Sequence, residues 1–268
     1  MENVRIFENR LEASKYLLQS IIWSNTWILP TGSTPQTLYA LMRCSAFLKN
    51  NAHLITTFNL DEYVGSHEYQ DFMNTELFDH VHFKNNHIFN GKADNIDKEI
   101  SRYQELLDNT EIDVAIVGIG RNGHIAFNEP GSDINSKCRQ VKLHLNTIET
   151  NKTEHTHAIT MGVSDIMRAK RIFIIAFGQS KQDIIYNIFK SGFDEQYPMS
   201  HVMKNHPNWT LLMDNSTGYK IKKHIELHKN ITNFNSIQNK KILIFSPHPD
   251  DDVIGMGAML HKLSRQNN

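Results

Sequence analysis

Three short stretches of this chain carry groups able to do acid–base chemistry or to hold an anion. The densest is residues 112–132, Ile-Asp-Val-Ala-Ile-Val-Gly-Ile-Gly-Arg-Asn-Gly-His-Ile-Ala-Phe-Asn-Glu-Pro-Gly-Ser. Gly118, Gly120 and Gly123 let the backbone turn sharply and approach a ligand, while His124 and Glu129 bring an imidazole and a carboxylate to one loop. A Gly-x-Gly-x-x-Gly string is by itself only a weak dinucleotide signal. Here the non-helical His-Ile-Ala-Phe-Asn-Glu-Pro follows it, and no acidic strand end lies about 20 residues on, so no dinucleotide is expected.

The second stretch is Leu-Pro-Thr-Gly-Ser-Thr-Pro, residues 29–35. Thr31, Gly32, Ser33 and Thr34 offer hydroxyls and free amides at the start of a helix, where orphan N–H groups and the helix dipole favour phosphate. A plain N-cap with Pro35 in the first helical turn satisfies the same residues. It is not a Walker loop, lacking the Gly-Lys-Ser/Thr ending. In the third stretch, residues 58–65, the chain leaves a strand with two adjacent acids, Asp61 and Glu62. Neighbours on an extended chain point opposite ways, so Asp61 is expected to face the ligand while structure holds Glu62; a solvated turn is the alternative. Lys181, in Phe-Gly-Gln-Ser-Lys, is placed where it can meet a phosphate or lie on a helix surface.

These groups need a scaffold, and the apolar pattern supplies one. Val114 to Ile119 reads as a buried parallel strand stopping at a turn. Further strands are expected at Thr26–Leu29, His53–Leu60, Ala158–Met161, Arg171–Phe177 and Trp209–Met213. Helices are expected at about residues 8–23, 36–47, 94–108, 163–169 and 180–191, with a loop and helix at 66–86 acting as a lid. Residues 129–155 read as irregular, and 214–239 as polar and mostly helical. Such alternation predicts an α/β protein with a mostly parallel sheet covered on both faces.

The chain has 268 residues and a formal net charge of −1, enough length for a sizeable core and no basic stripe for nucleic acid. No apolar run is long enough to span a membrane and no signal peptide is evident, so a cytoplasmic protein is expected. Cys44 and Cys138 lack a Cys-x-x-Cys spacing, which argues against a disulfide framework or a zinc knuckle. Most of the 15 histidines are scattered singly, as at His53, His80, His87 and His228, and read as structural or solvated.

Together, the three stretches resemble the glucosamine-6-phosphate deaminases, also called isomerases, in motif, order and spacing over about residues 1–225. The resemblance implies a Rossmann-like three-layer α/β/α sandwich that converts glucosamine 6-phosphate to fructose 6-phosphate and ammonia without a redox cofactor or metal. It also implies a family that commonly assembles, hence a homo-oligomer. On that pattern His124 assists ring opening, Asp61 shuttles a proton between C2 and C1, Glu129 supports His124, and Thr31 to Thr34 with Lys181 hold the phosphate. The chain departs from the pattern where many members have Asp instead of Asn122, where the loop after Gly65 is shorter, and where no phosphate-binding arginine follows residue 143, Lys152 being the nearest cation. A catalytically weak sugar-phosphate binding or regulatory module is therefore a second reading. The 6-phosphogluconolactonases, fold-mates without the Phe-Asn-Glu-Pro signature, are a third.

After a linker at 229–240, residues 241–268 resemble the start of the LmbE/PIG-L metal-dependent N-deacetylases through Pro247-His248-Pro249-Asp250-Asp251-Asp252. That resemblance implies His248 and Asp251 as zinc ligands and Asp250 as a base in a longer chain. The first domain is accordingly placed at 1–228.

Overall fold

A computed structural model describes residues 3–192, 194 and 196–232 of the chain. The chain divides into two units, residues 1–218 and 219–268, and both sheets and the candidate site belong to the first. The deacetylase-like segment 241–268, with His248, Asp250 and Asp251, lies outside the described residues, as does most of the expected linker.

Seven parallel strands form the main sheet in the order β1-β10-β9-β6-β2-β3-β5. They are β1 (Val4–Phe7), β2 (Thr26–Leu29), β3 (Thr56–Asn59), β5 (Asn85–His87), β6 (Val114–Gly118), β9 (Arg171–Ala176) and β10 (Trp209–Asp214). The helices are α1 (Arg10–Ile21), α2 (Gln36–Cys44), α3 (Ala46–Asn51), α4 (Glu68–Met73), α5 (Ile96–Asp108), α6 (Leu145–Asn151), α7 (Val163–Ile166), α8 (Gln182–Lys190), α9 (Pro198–Asn205) and α10 (Asn215–Thr232). Among the described residues no helix is long and apolar enough to cross a membrane.

Strand periodicity divides the core between the two faces. Trp27 and Leu29 of β2, with Val114 and Ile116 of β6, pack with Ala13, Leu17 and Ile21 of α1 and Leu38, Tyr39 and Met42 of α2. On β3, Phe58 meets Tyr103 of α5 edge-on, ring centroids 5.9 Å apart. Burial on both faces explains why the central strands read as unbroken apolar runs, each fully buried large side chain contributing roughly 1.5–3 kcal/mol. Asn9 and Asn95 cap α1 and α5 by accepting from the amides of Glu12 and Lys98 at 3.1 and 2.9 Å.

The structure corrects several expectations. Residues 129–155 are not irregular: they contain β7 (Arg139–Lys142) and α6. Ala158 to Met161 does not continue the parallel sheet, because β8 (His157–Thr160) joins a second, antiparallel sheet of order β4-β8-β7, with β4 at Asp61–Tyr63. The expected strand from His53 begins only at Thr56, after a 3-10 turn at Ala52–Leu54. Within the expected lid, Met73, Leu77, Phe78 and Val81 belong to the main core, so the segment is anchored rather than free to close.

The order of the strands reverses between β2 and β6, and a crevice opens at their carboxyl ends. Beside it, the chain leaves β3 and enters β4 within two residues, so Asp61 begins the second sheet where the first stops. Glu62 fixes the far side of this crossing. It is fully buried and accepts the backbone amides of Tyr63, Tyr69 and Gln70 at 2.8, 3.2 and 2.8 Å, tying β4 to α4. Replacing Glu62 by Ala strands those donors and is expected to cost about 2–4 kcal/mol in denaturant unfolding. A loss within experimental error would refute this anchoring role.

Candidate active site

Four strand ends build the cleft. The loop after β2 supplies Thr31 to Pro35, the end of β3 supplies Asp61, the glycine turn after β6 supplies His124, and the turn after β9 supplies Lys181. A narrow cavity of about 180 Å³ holds Asp61, His124 and Lys181, and a wider one of about 630 Å³ adjoins it. The two share Thr34, Gly120, His124, Asn151 and Lys181, so they form one continuous cleft.

Asp61 faces the narrow cavity and Glu62 faces away, as expected from the alternation along an extended chain. Asp61 is only 5% exposed. Its carboxylate accepts one long bond, 3.4 Å, from the Thr31 hydroxyl. Burial first, then the nearby charge of Glu62, push its pKa up to about 7, against the small lowering effect of the Thr31 bond. Two tyrosines hold the backbone on either side: Tyr39 donates to the carbonyl of Pro30, and Tyr103 to that of Asn59 at 2.7 Å.

His124 stands on a tight turn closed by the Gly120 amide bonding its own carbonyl at 2.9 Å. A Cβ at position 120 would overlap the imidazole, so this glycine is required by close approach. His124 Nδ1 lies 3.4 Å from Glu129 Oε2, within ion-pair reach but without a well-formed hydrogen bond. Asn122 bridges the two, donating to Glu129 Oε2 at 2.6 Å and accepting the His124 backbone amide at 3.3 Å. Glu129 also accepts the Thr147 hydroxyl. Burial raises its pKa, but His124, Thr147 and Asn122 overcome that and hold it down to about 2.

Helix α2 begins at Pro35 without a side-chain cap, so Ser33 and Thr34 are not spent as capping groups and face the cleft. Gly32 turns the backbone there at φ +89°, a conformation that favours glycine. Lys181 donates to the Ile119 carbonyl at 2.7 Å and stands in both cavities. All nine residues singled out from the sequence therefore meet around this cleft, Gly32 and Thr31 on the narrow side and Ser33 and Asn122 on the wide side, with Glu129 behind His124. Lys152 is not among the lining residues.

Tyr69, Arg121, Thr147 and Asn151 are among the lining residues that the sequence does not single out. Thr147 and Asn151 are four apart on α6, one above the other on a helix face, and that spacing was the available signal. Among the described residues no group of three or more His, Cys, Asp or Glu side chains could hold a metal.

Proton transfer on a small anionic ligand, held at the carboxyl ends of parallel strands, is the class of chemistry this cleft can support. Residues 18–211 match the family described as glucosamine-6-phosphate isomerases/6-phosphogluconolactonase, and the chain belongs to that family. It is 42% identical over 227 residues to a glucosamine-6-phosphate deaminase of Listeria monocytogenes serotype 4a (strain HCC23), covering 78% of this chain and 95% of the relative. A glucosamine-6-phosphate deaminase of Bacillus cereus (strain B4264) is 38% identical over 226 residues, covering 79% and 85%. Among solved structures, a monomeric glucosamine-6-phosphate deaminase superposes with a TM-score of 0.75 at 29% identity, over 81% of this chain and 99% of that one. The 6-phosphogluconolactonase from Leishmania guyanensis, at TM-score 0.66 and 19% identity over 81% and 97%, shares the fold.

Exchanging Gly120 for Ala is expected to displace His124 while leaving the fold intact, seen as changed NMR chemical shifts of its ring protons at fixed pH with an unchanged far-UV spectrum. Ring-proton shifts identical to those of the parent protein would show that the turn can absorb the added carbon.

Proposed function

We propose that this chain converts glucosamine 6-phosphate and water to fructose 6-phosphate and ammonia. One observation carries the reading: a buried carboxylate, Asp61, poised near neutrality in a cleft that also holds an imidazole backed by a second carboxylate. In this mechanism His124, steadied by Glu129 and Asn122, moves the proton between the ring oxygen and the C1 hydroxyl as the pyranose opens. Asp61 then takes the proton from C2 of the open chain while the C1 oxygen gains one from the C2 amino group, leaving an enolamine, and returns its own proton to C1. The resulting C2 imine adds water and releases ammonia. Each step asks only for proton transfer at a held substrate, so the work of the protein is positioning and tuning of basicity.

The amide at position 122 fits this reading. Glu129 supplies the negative charge beside His124, and Asn122 ties that carboxylate to the turn carrying the imidazole. The free Cys44 and Cys138 support a reducing, cytoplasmic setting.

Ammonia release from glucosamine 6-phosphate by the purified protein, abolished in Asp61→Asn, is the direct test. A folded parent protein that binds the sugar phosphate and releases no ammonia would leave the binding-module reading in its place. Because Asp61 acts as a base, kcat/KM is expected to rise with pH through about 7. Its folded pKa is above the unfolded value, so its charge destabilises the fold most above pH 7 and least near pH 4. Asp61→Asn should therefore raise the melting temperature more at pH 8 than at pH 5, and an equal shift at both would contradict the buried charge.

We also propose that residues 1–228 form the deaminase domain, joined through 229–240 to a deacetylase-like start at 241–268. Every cleft residue named above precedes residue 182. A chain ending at His228 is expected to fold and release ammonia at the rate of the full chain. Loss of turnover in a folded truncation would assign residues 229–268 a part in the site.

A further inference from the structure

The wider half of the cleft contains a cation that the sequence reading gave no role. Arg121 lies between Gly120 and Asn122 in the turn that carries His124, and it lines the wide cavity with Lys181, Ser33 and Thr34. No carboxylate compensates it. Among the described residues, the ion pairs involve neither Arg121 nor Lys181. Glu149, the single acid on that wall, is out of ion-pair contact with both. The Lys181 ammonium rests instead on the Ile119 carbonyl at 2.7 Å. Its pKa lies below the ordinary lysine range because of burial and, secondly, the positive charge of Arg121, with no anion acting in the other direction.

Two cations that raise each other's energy at one cavity, without a resident anion, make that cavity complementary to an anion brought by a ligand. We propose that Arg121 is the second cation for the substrate's phosphate, working with Lys181 to seat the phosphoryl group in the wide cavity so that the sugar carbons reach Asp61 and His124 in the narrow one. This assignment rests on the sugar-phosphate reading above. A guanidinium suits the task, since its planar fork can meet two phosphate oxygens at once where an ammonium meets them as a point charge. It also accounts for how this chain binds phosphate with no arginine in the stretch that follows residue 143, where α6 presents Thr147 and Asn151 to the cleft. The position has a mechanical consequence as well. Arg121 lies within the Gly120–Gly123 turn, closed by the Gly123 amide on the Gly120 carbonyl at 3.1 Å, and His124 follows directly with its carbonyl on the Gly120 amide at 2.9 Å, so an anion gripping Arg121 steadies the residue that carries the imidazole.

The test compares the parent protein with Arg121→Ala and Arg121→Lys. Affinity for inorganic phosphate is measured by titration calorimetry, and kcat and KM are measured for glucosamine 6-phosphate. Removing one charge-assisted contact is expected to weaken phosphate binding and raise KM by about 10- to 100-fold, with a much smaller change in kcat and partial recovery in the lysine variant. Arg121 is exposed and makes no ion pair, so the melting temperature of the alanine variant should match the parent's. Unchanged phosphate affinity together with unchanged KM would overturn the assignment while leaving the deaminase reading intact. Phosphate binding that is lost in Arg121→Ala, in a protein that releases no ammonia in either form, would uphold the anion clamp and remove the deaminase reading. A parent protein that does not bind inorganic phosphate at all would overturn the clamp.

Discussion

A carboxylate kept ionisable inside apolar surroundings is the constraint around which this molecule is arranged. Asp61 is almost fully buried and receives only one long hydrogen bond, from Thr31. Glu62, its neighbour, is buried just as deeply but accepts three backbone amides. The chain thus sets two adjacent acids in opposite environments, one satisfied and structural, the other unsatisfied and basic enough to take a proton near pH 7. The segment changes sheets at this residue, and pleating sends the two side chains to opposite sides, each into surroundings of its own.

The imidazole presents the complementary problem of holding a ring in place without locking its proton. Glu129 is depressed to about 2 and stays anionic over the working pH range, so His124 always has a negative neighbour. Asn122 adds orientation, not charge, since an amide cannot ionise, and its bonds to Glu129 and to the His124 amide close a small network across the turn. Thr147 reaches this network from α6, which couples the glycine turn to a segment far along the chain. A carboxylate at position 122 would put two acids beside one imidazole. With Asn122, the single charge of Glu129 is shared through hydrogen bonds instead.

The cleft was legible in the sequence because its parts are local: each lies within a few residues of a strand end, marked by glycine, proline or hydroxyl residues whose turn chemistry is short-range. Its supports were less legible, for reasons that differ by element. The edge strand β5 is Asn-Asn-His and carries no apolar alternation, and it exists because β3 offers it partners. Helix α6 buries Thr147, not an apolar stripe, so periodicity could not announce it. Strand β8 has the burial of a core strand, and a short apolar run does not say whether its neighbours are parallel or antiparallel. The segment 66–86 reads as a loop and helix over the site from the helical spacing of Met73, Leu77, Phe78 and Val81, yet these side chains join the main core, a tertiary choice that spacing alone does not show.

Part of the local strain lies where the chemistry is. Ala126, which lines the narrow cavity, holds φ +51°, a conformation that side chains disfavour, and Gly120 accommodates an imidazole where no Cβ fits. Of the buried side-chain polar atoms without a partner among the described residues, His124 Nδ1 lines the cleft, Asn59 Oδ1 and Asn128 Oδ1 belong to residues next to its lining residues Leu60 and Phe127, and Ser200 Oγ lies on α9. A core built for stability alone would have satisfied or removed these atoms, because each unpaired buried group costs about 1–3 kcal/mol. The placing of the first three has a physical reading: the apolar layers of α1, α2 and α5 supply a surplus of stability at the sheet, and the strand ends use it to hold a base, an imidazole and a tight turn in positions that none of them would adopt alone.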